Sequence, residues 1–255
     1  MGKKGKTGTL KRNPAPRFWP LHRKEFLWVV KPSSGPHSLE HYLPLSLVLR
    51  DILEVAKTRK EAKKIISQGK IYVDGKVRRK DDFPVGLMDV ISIPDLNKFF
   101  RITPFHKGLF LNPISKEEAS FKLCRVEDKA TVKGSHVQIA LHDGSNMLAK
   151  AADSEKPQEV TYATFDILKL SLPEKQVVDH LKTKKGNLAV ITGGKNIGKQ
   201  GRIVEIEKTE AKKRRNALVV IEDEKGTRYQ TILDFVFSIG ATQSLISSLE
   251  ATSPV

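Results

Sequence analysis

Cysteine is almost missing from this chain of 255 residues; Cys124 is the one copy. A single thiol excludes an intramolecular disulfide framework and any zinc site built on several cysteines. It sits in the strand-like apolar run "FKLCRVE", which predicts a small buried hydrophobe. No stretch approaches the roughly 18 apolar residues of a membrane helix, so no membrane partner is expected. The opening "MGKKGKTGTLKRN" is basic but has no apolar signal core, which argues against secretion. A Gly-x-Ser-x-Gly nucleophile element is also absent. Acidic side chains are the scarce sign: 29 Asp and Glu stand against 45 Lys and Arg, a net charge of +16. That excess favours a polyanionic partner, nucleic acid or an anionic surface, over the bland alternative of a basic soluble enzyme.

Two motifs imitate catalytic signatures. "VITGGKNIGKQGRIVEI" carries Gly193, four residues, then Gly198-Lys199, nearly a phosphate-cradling loop. Position 200 is Gln where such a loop needs a magnesium-binding hydroxyl, and the segment that follows is β-branched rather than helical. No nucleotide and no cofactor is expected. "HSLEH" (37–41) fits an inverted zinc-protease signature, but Pro36 and Pro44 leave barely two helical turns and no third ligand is evident. Two surface histidines and no metal are expected there.

The length suits two or three small domains, and the element pattern predicts a multidomain α+β fold. Residues 1–42 carry nine Lys or Arg and two acids among prolines, glycines and aromatics, which predicts an extended basic segment that orders on a polyanion. "LPLSLVLRDILEVA" places Leu45, Leu49, Ile52, Leu53 and Ala56 on one helical stripe, with Pro44 at the first helical position. "TRKE" is a capping box on Thr58 that opens a second helix, with Ala62, Ile65 and Ile66 facing inward and Gly69 ending it. "IYVDGKVRR" is a hairpin turning at Asp74-Gly75, and "VGLMDVISI" reads as one further strand. Residues 43–105 are thus a helix-turn-helix followed by a small sheet. The next region, 106–175, is β-rich, with a capping box at Ser115 and a turn at His142–Ser145. Residues 176–240 give four strands, "NLAVI", "GRIVEIE", "NALVVIED" and "RYQTI", joined as a small barrel with a basic tip at "AKKRR" (211–215). Residues 241–255 read as a flexible tail.

The second helix presents Arg59, Lys60, Lys63 and Lys64, and the adjacent hairpin adds Lys76, Arg78, Arg79 and Lys80. A solvated face ordinarily mixes signs. One sign on two neighbouring elements is the footprint of phosphate contacts.

"LVLRDILEVAKTRKEAKKIISQGKIYVDGKVRR" resembles the small RNA-binding domain named after bacterial ribosomal protein S4, and "NLAVITGGKNIGKQGRIVEI" resembles a KOW motif, in which a Gly-rich loop joins two strands of an SH3-like barrel. Together with "LKRNPAPRFWP", "KPSSGPHSLE" and "FPVGLMDVISI", in order over about residues 9–240, the chain is similar to ribosomal family S4e. Without the basic C-terminal extension of eukaryotic members, it resembles the archaeal ones. The resemblance implies a structural role in translation on cytoplasmic ribosomes. Its partners would be small-subunit ribosomal RNA and neighbouring small-subunit proteins, and it would have no catalytic residue. It extends the RNA-binding candidates to Lys11, Arg12, Arg17, Arg23, Lys24, Arg50 and Lys57, and to Lys195, Lys199 and Arg202. Gly193, Gly194, Gly198 and Gly201 would shape the loop, with Gly201 at positive φ or close against RNA. Two other classes carry the same modules. One is an RNA-modifying enzyme, for which no G-R-L-D-like catalytic strand is present; the other is a transcription-elongation factor, separable by co-purification with polymerase rather than ribosomes.

Overall fold

The computed structural model describes residues 9–22, 24–38, 41–106, 108–150, 162–207 and 214–247. Arg23, Glu40 of "HSLEH", residues 211–213 of the basic tip, the polar loop 151–158, the first eight residues and residues 248–255 lie outside the described residues.

The chain enters through β1 (Leu10–Lys11), which pairs with β2 (Trp28–Val29), and then β3 (Tyr42–Pro44). Within its described residues the extended segment packs on the protein itself, where a polyanion was expected to order it. Trp19 is 2% exposed, its indole N–H donates to the Tyr42 carbonyl at 2.9 Å, and Ala15 is buried in the same core. One indole removes on the order of 150–250 Å² from water, and several prolines reduce the entropy that ordering must overcome.

α1 (Leu45–Leu47) continues directly into a π-helical turn, Val48–Ile52. Pro44 is the N-cap and ends β3; it is not the first helical residue. The wider turn closes through Leu53 N–H to the Val48 carbonyl at 2.9 Å, and Glu54 at φ 50° stops the helix short of Ala56. α2 (Arg59–Ser67) follows, capped by Thr58 as expected, and Gly69 terminates it at φ 79°.

Three five-stranded antiparallel sheets come next. The first holds β4 (Tyr72–Val73), β5 (Lys76–Val77), β7 (Val90–Ile93), β8 (Lys98–Phe105) and β9 (Gly108–Pro113) in the order β5-β4-β7-β8-β9, so it continues past residue 105. "VGLMDVISI" is two strands rather than one: β6 (Pro84–Gly86) pairs with β3, and Met88 at φ 64° turns the chain into β7. The second sheet contains β10 (Phe121–Val132), β11 (His136–Leu141), β12 (Asn146–Ala149), β13 (Ile167–Ser171) and β14 (Val177–Leu181), ordered β12-β11-β10-β13-β14. The capping box at Ser115 starts only a short 3-10 turn, Glu118–Ser120. The third sheet is β15 (Leu188–Ile191), β16 (Gln200–Glu207), β17 (Leu218–Glu222), β18 (Arg228–Ile232) and β19 (Val236–Gly240), ordered β18-β17-β16-β15-β19.

The first core lies under the helices and sheet one; a second fills the third sheet, and another the second sheet. A separate cluster, Met88, Leu123, Ile167, Val190, Phe237, Ile239 and Ile246, draws the second and third sheets together with the turn between β6 and β7. Residues 241–247 therefore do not hang free. Leu245 N–H donates to Ile239 at 2.8 Å, Ile246 is buried, and the Glu118 carboxylate accepts from the Ser247 backbone and hydroxyl.

Candidate nucleic-acid interface

α2 buries Ala62 and Ile66 and leaves Lys60, Lys63 and Lys64 exposed. At spacings of three and four residues these share one face, where like charges repel unless an anion intervenes. The hairpin beside it turns through Asp74 and Gly75, at φ 52° and 71°, and exposes Lys76, Arg79 and Lys80. Two expected contacts are partly committed within the protein. Arg59 bonds Asp81 at 3.0 and 3.1 Å, and the Arg78 guanidinium lies 4.2 Å from the Phe83 ring.

Of the other candidates, Lys11, Arg17, Lys24 and Lys57 are exposed, whereas Arg12 donates to the Leu21 carbonyl and Arg50 chelates Asp51. Lys195, Lys199 and Arg202 are exposed on the third sheet; Lys199 lies 5.8 Å from the Tyr229 ring, and Arg202 reaches the Gly186 and Thr242 carbonyls.

The loop from Thr192 to Lys199 leads from β15 into β16, a strand and not a helix. Its glycines serve contacts inside the protein. Gly194 and Gly198 have φ of 80° and 82°, and a Cβ on Gly198 would stand 2.9 Å from the Phe105–His106 backbone. On Gly193 it would meet the Phe235 ring at 2.6 Å. Gly201 corrects the expectation of a positive φ. It is an extended residue of β16, and its Cβ would approach the Glu222 carbonyl oxygen to 2.2 Å. Gly201→Val is therefore expected to destabilise the protein by about 1–3 kcal/mol, as overpacking does. Urea denaturation checks this; an unchanged midpoint would show that β17 moves aside freely.

The most buried charges lie elsewhere, and the sequence reading missed them. Lys122 on β10 is about 1% exposed, and its ammonium donates to Asp74 at 2.7 Å, Asp89 at 2.5 Å and Asp143 at 3.2 Å. Asp74 also accepts from Val90 N–H, Asp89 from Gly86 N–H, and Asp143 from Ser145 and Lys175. His37 is not a surface residue: its side chain is buried and its Nε2 meets both Asp89 oxygens, while His41 is exposed. Burial works against the Lys122 charge, but Asp89 and Asp74 outweigh it and raise its pKa well above the ordinary lysine value. Burial would also raise Asp89 and Asp143; the Lys122 ammonium overrides it and holds both below the usual carboxylate range. Asp74 goes the other way, raised by burial and by the charge on Asp89. The signal in the sequence was a Lys or Asp inside an apolar run ("FKLC", "LMDVI"), whose partners lie far along the chain. Cys124 is fully buried beside this cluster, and burial raises its pKa far above the usual thiol range.

A short helix pair followed by a cation-bearing hairpin defines an S4 domain, and that domain matches residues 45–91. The molecule is therefore a modular, mainly β protein built around an S4 domain. The RS4NT domain matches residues 4–40, and ribosomal family S4e matches residues 96–177. A small ribosomal subunit protein eS4 from Desulfurococcus amylolyticus is 48% identical over 247 residues, covering 96% of this chain and 97% of its own. The protein of the same name from Methanococcus aeolicus is 44% identical over 248 residues, covering 97% and 100%. The crystal structure of 30S ribosomal protein S4e from Thermoplasma acidophilum superposes with a TM-score of 0.64 at 30% identity, covering 79% of this chain and 96% of that one. The chain belongs to ribosomal family S4e.

Proposed function

We propose that the protein is a structural constituent of the small ribosomal subunit, binding small-subunit ribosomal RNA beside neighbouring small-subunit proteins on cytoplasmic ribosomes. It needs no catalysis, membrane or nucleotide for this. The single observation that carries the proposal is the one-signed face of Lys60, Lys63, Lys64, Lys76, Arg79 and Lys80 on α2 and its adjoining hairpin. A-form RNA hides its bases in a narrow major groove, so such a face reads phosphate positions and shape. In this reading residues 1–42 are the basic N-terminal segment, 43–105 and 106–175 the S4-like and central regions, and 176–240 a KOW-type, SH3-like barrel. Gly201 packed against β17, and the Gly-rich loop between β15 and β16, support the barrel.

Binding to ribosomal RNA fragments should weaken steeply with salt. Six phosphate contacts imply a log–log slope of roughly −5, taking about −0.9 per contact from duplex DNA. Lys63→Gln with Arg79→Gln should flatten the slope by about 2. An unchanged slope would remove this face from the interface. Co-sedimentation with polymerase rather than small subunits would point to an elongation factor instead.

A further inference from the structure

A groove of about 660 Å³ separates the β1–β2 ribbon from the segment joining the two helices. One wall is apolar. Phe26 and Trp28 line it at 57% and 55% exposure, and Leu27 between them in sequence, outside the groove, is 63% exposed; such exposed apolar side chains mark a binding surface. Cations already flank its rings: Lys11 Nζ is 5.5 Å from the Trp28 centroid, and the Arg50 guanidinium is 5.7 Å from that of Phe26. The remaining lining has mixed charge, with Lys57 and Arg59 beside Glu25 and Glu54. Arg12 Nε is buried and lacks a hydrogen-bond partner among the described residues.

A plain phosphate track would not carry carboxylates, because they repel the backbone it must hold. An unpaired nucleotide fits better. Its base offers a flat face to the rings and N–H donors to Glu25 or Glu54. Its phosphate stays outside with Lys11 and Lys57. Bases within a duplex are already stacked and paired and cannot enter. We propose that this groove is a stacking site for unpaired RNA nucleotides, separate from the phosphate-gripping face of α2. This rests on the RNA-binding function above and names the RNA conformation that the N-terminal segment takes.

The test uses the full chain with two labelled probes, an unstructured RNA of about 10 nucleotides and an RNA duplex of about 16 base pairs. Fluorescence anisotropy gives affinity, and tryptophan emission reports stacking, since Trp28 is exposed and Trp19 buried. The single strand should quench tryptophan emission. Phe26→Ala with Trp28→Ala should weaken single-strand binding roughly tenfold or more and leave duplex binding unchanged. Trp28→Tyr should restore most of the loss, whereas Trp28→Leu, which keeps apolar area without a π face, should not. Full affinity in Trp28→Leu would mean an apolar protein contact and overturn the stacking site. So would an unaltered single-strand affinity in the double variant while the duplex still binds. If the wild type bound neither probe, the RNA-binding function itself would fall.

Discussion

Lys122→Met is expected to cost about 3–5 kcal/mol, the scale of removing one partner from a buried charge cluster. The melting temperature should fall by about 6–20 °C. Methionine fills most of the volume, so the loss is electrostatic rather than a cavity. Asp74, Asp89 and Asp143 would remain buried, with Lys175 on Asp143, His37 on Asp89 and the hydrogen bonds from Val90, Gly86 and Ser145 as compensation among the described residues. Asp74 would take up a proton first, because burial and the neighbouring Asp89 charge already raise its pKa. Adding Asp74→Asn to Lys122→Met should therefore recover part of the loss, a coupling of about 1 kcal/mol or more between contacting residues. Thermal melts of the four combinations measure it. A Lys122→Met melt within about 2 °C of wild type would show that water, not Lys122, neutralises these carboxylates. The cluster's location explains the stakes: Asp74 forms the hairpin turn that presents Lys76 and Arg79, and Lys122 anchors that turn to the second sheet.

Local chemistry made part of this fold legible. The capping box on Thr58, the Asp74-Gly75 turn, the His142–Ser145 turn and the burial of Cys124 depend on residues a few positions apart, and each is as read. Features that depend on distant partners were not legible. The break in "VGLMDVISI" exists because Asp89 turns inward to Lys122, some 33 positions away. β19 went unread because "DFVFSIG" has no alternation to mark it, every residue of the strand being buried. Trp19 could not be assigned to a core from its Pro-rich neighbours, since its partner Tyr42 lies 23 positions on. The cationic face was visible because exposed charge needs no partner, yet the ties of Arg59 to Asp81 and Arg78 to Phe83 were not. The same limit hid why Gly201 is glycine: the atom that excludes a side chain belongs to Glu222 on the next strand.

Acidification should act on a second buried group, His142, before it reaches the depressed carboxylates of Asp89 and Asp143. His142 is enclosed where the bodies of the fold meet: its Nδ1 accepts Arg125 N–H at 3.1 Å, its Nε2–H donates to the Leu87 carbonyl at 3.1 Å, and Phe237 packs edge-on against the ring. Both nitrogens are satisfied only in the neutral ring, and a proton on Nδ1 would confront the Arg125 N–H. Burial, with Lys122 and His37 nearby, lowers its pKa to about 3 from the ordinary 6.5. The unfolded chain therefore binds this proton near pH 6.5 while the folded chain refuses it until about pH 3. Stability from this site is complete above pH 6.5 and is lost as pH falls through that window, by about 2–3 kcal/mol at a pH near 4.5. The depressed Asp89 and Asp143 act in the same sense, but only as pH falls below the ordinary carboxylate value, and the raised Asp74 opposes them. His142→Gln keeps a donor and an acceptor but cannot titrate. It should cost about 1–2 kcal/mol at neutral pH through imperfect hydrogen bonds and escape most of the acid loss. Urea denaturation from about pH 7 to 4.5 should then show the two stability curves converging and crossing; parallel curves would show that the acid sensitivity resides in another group.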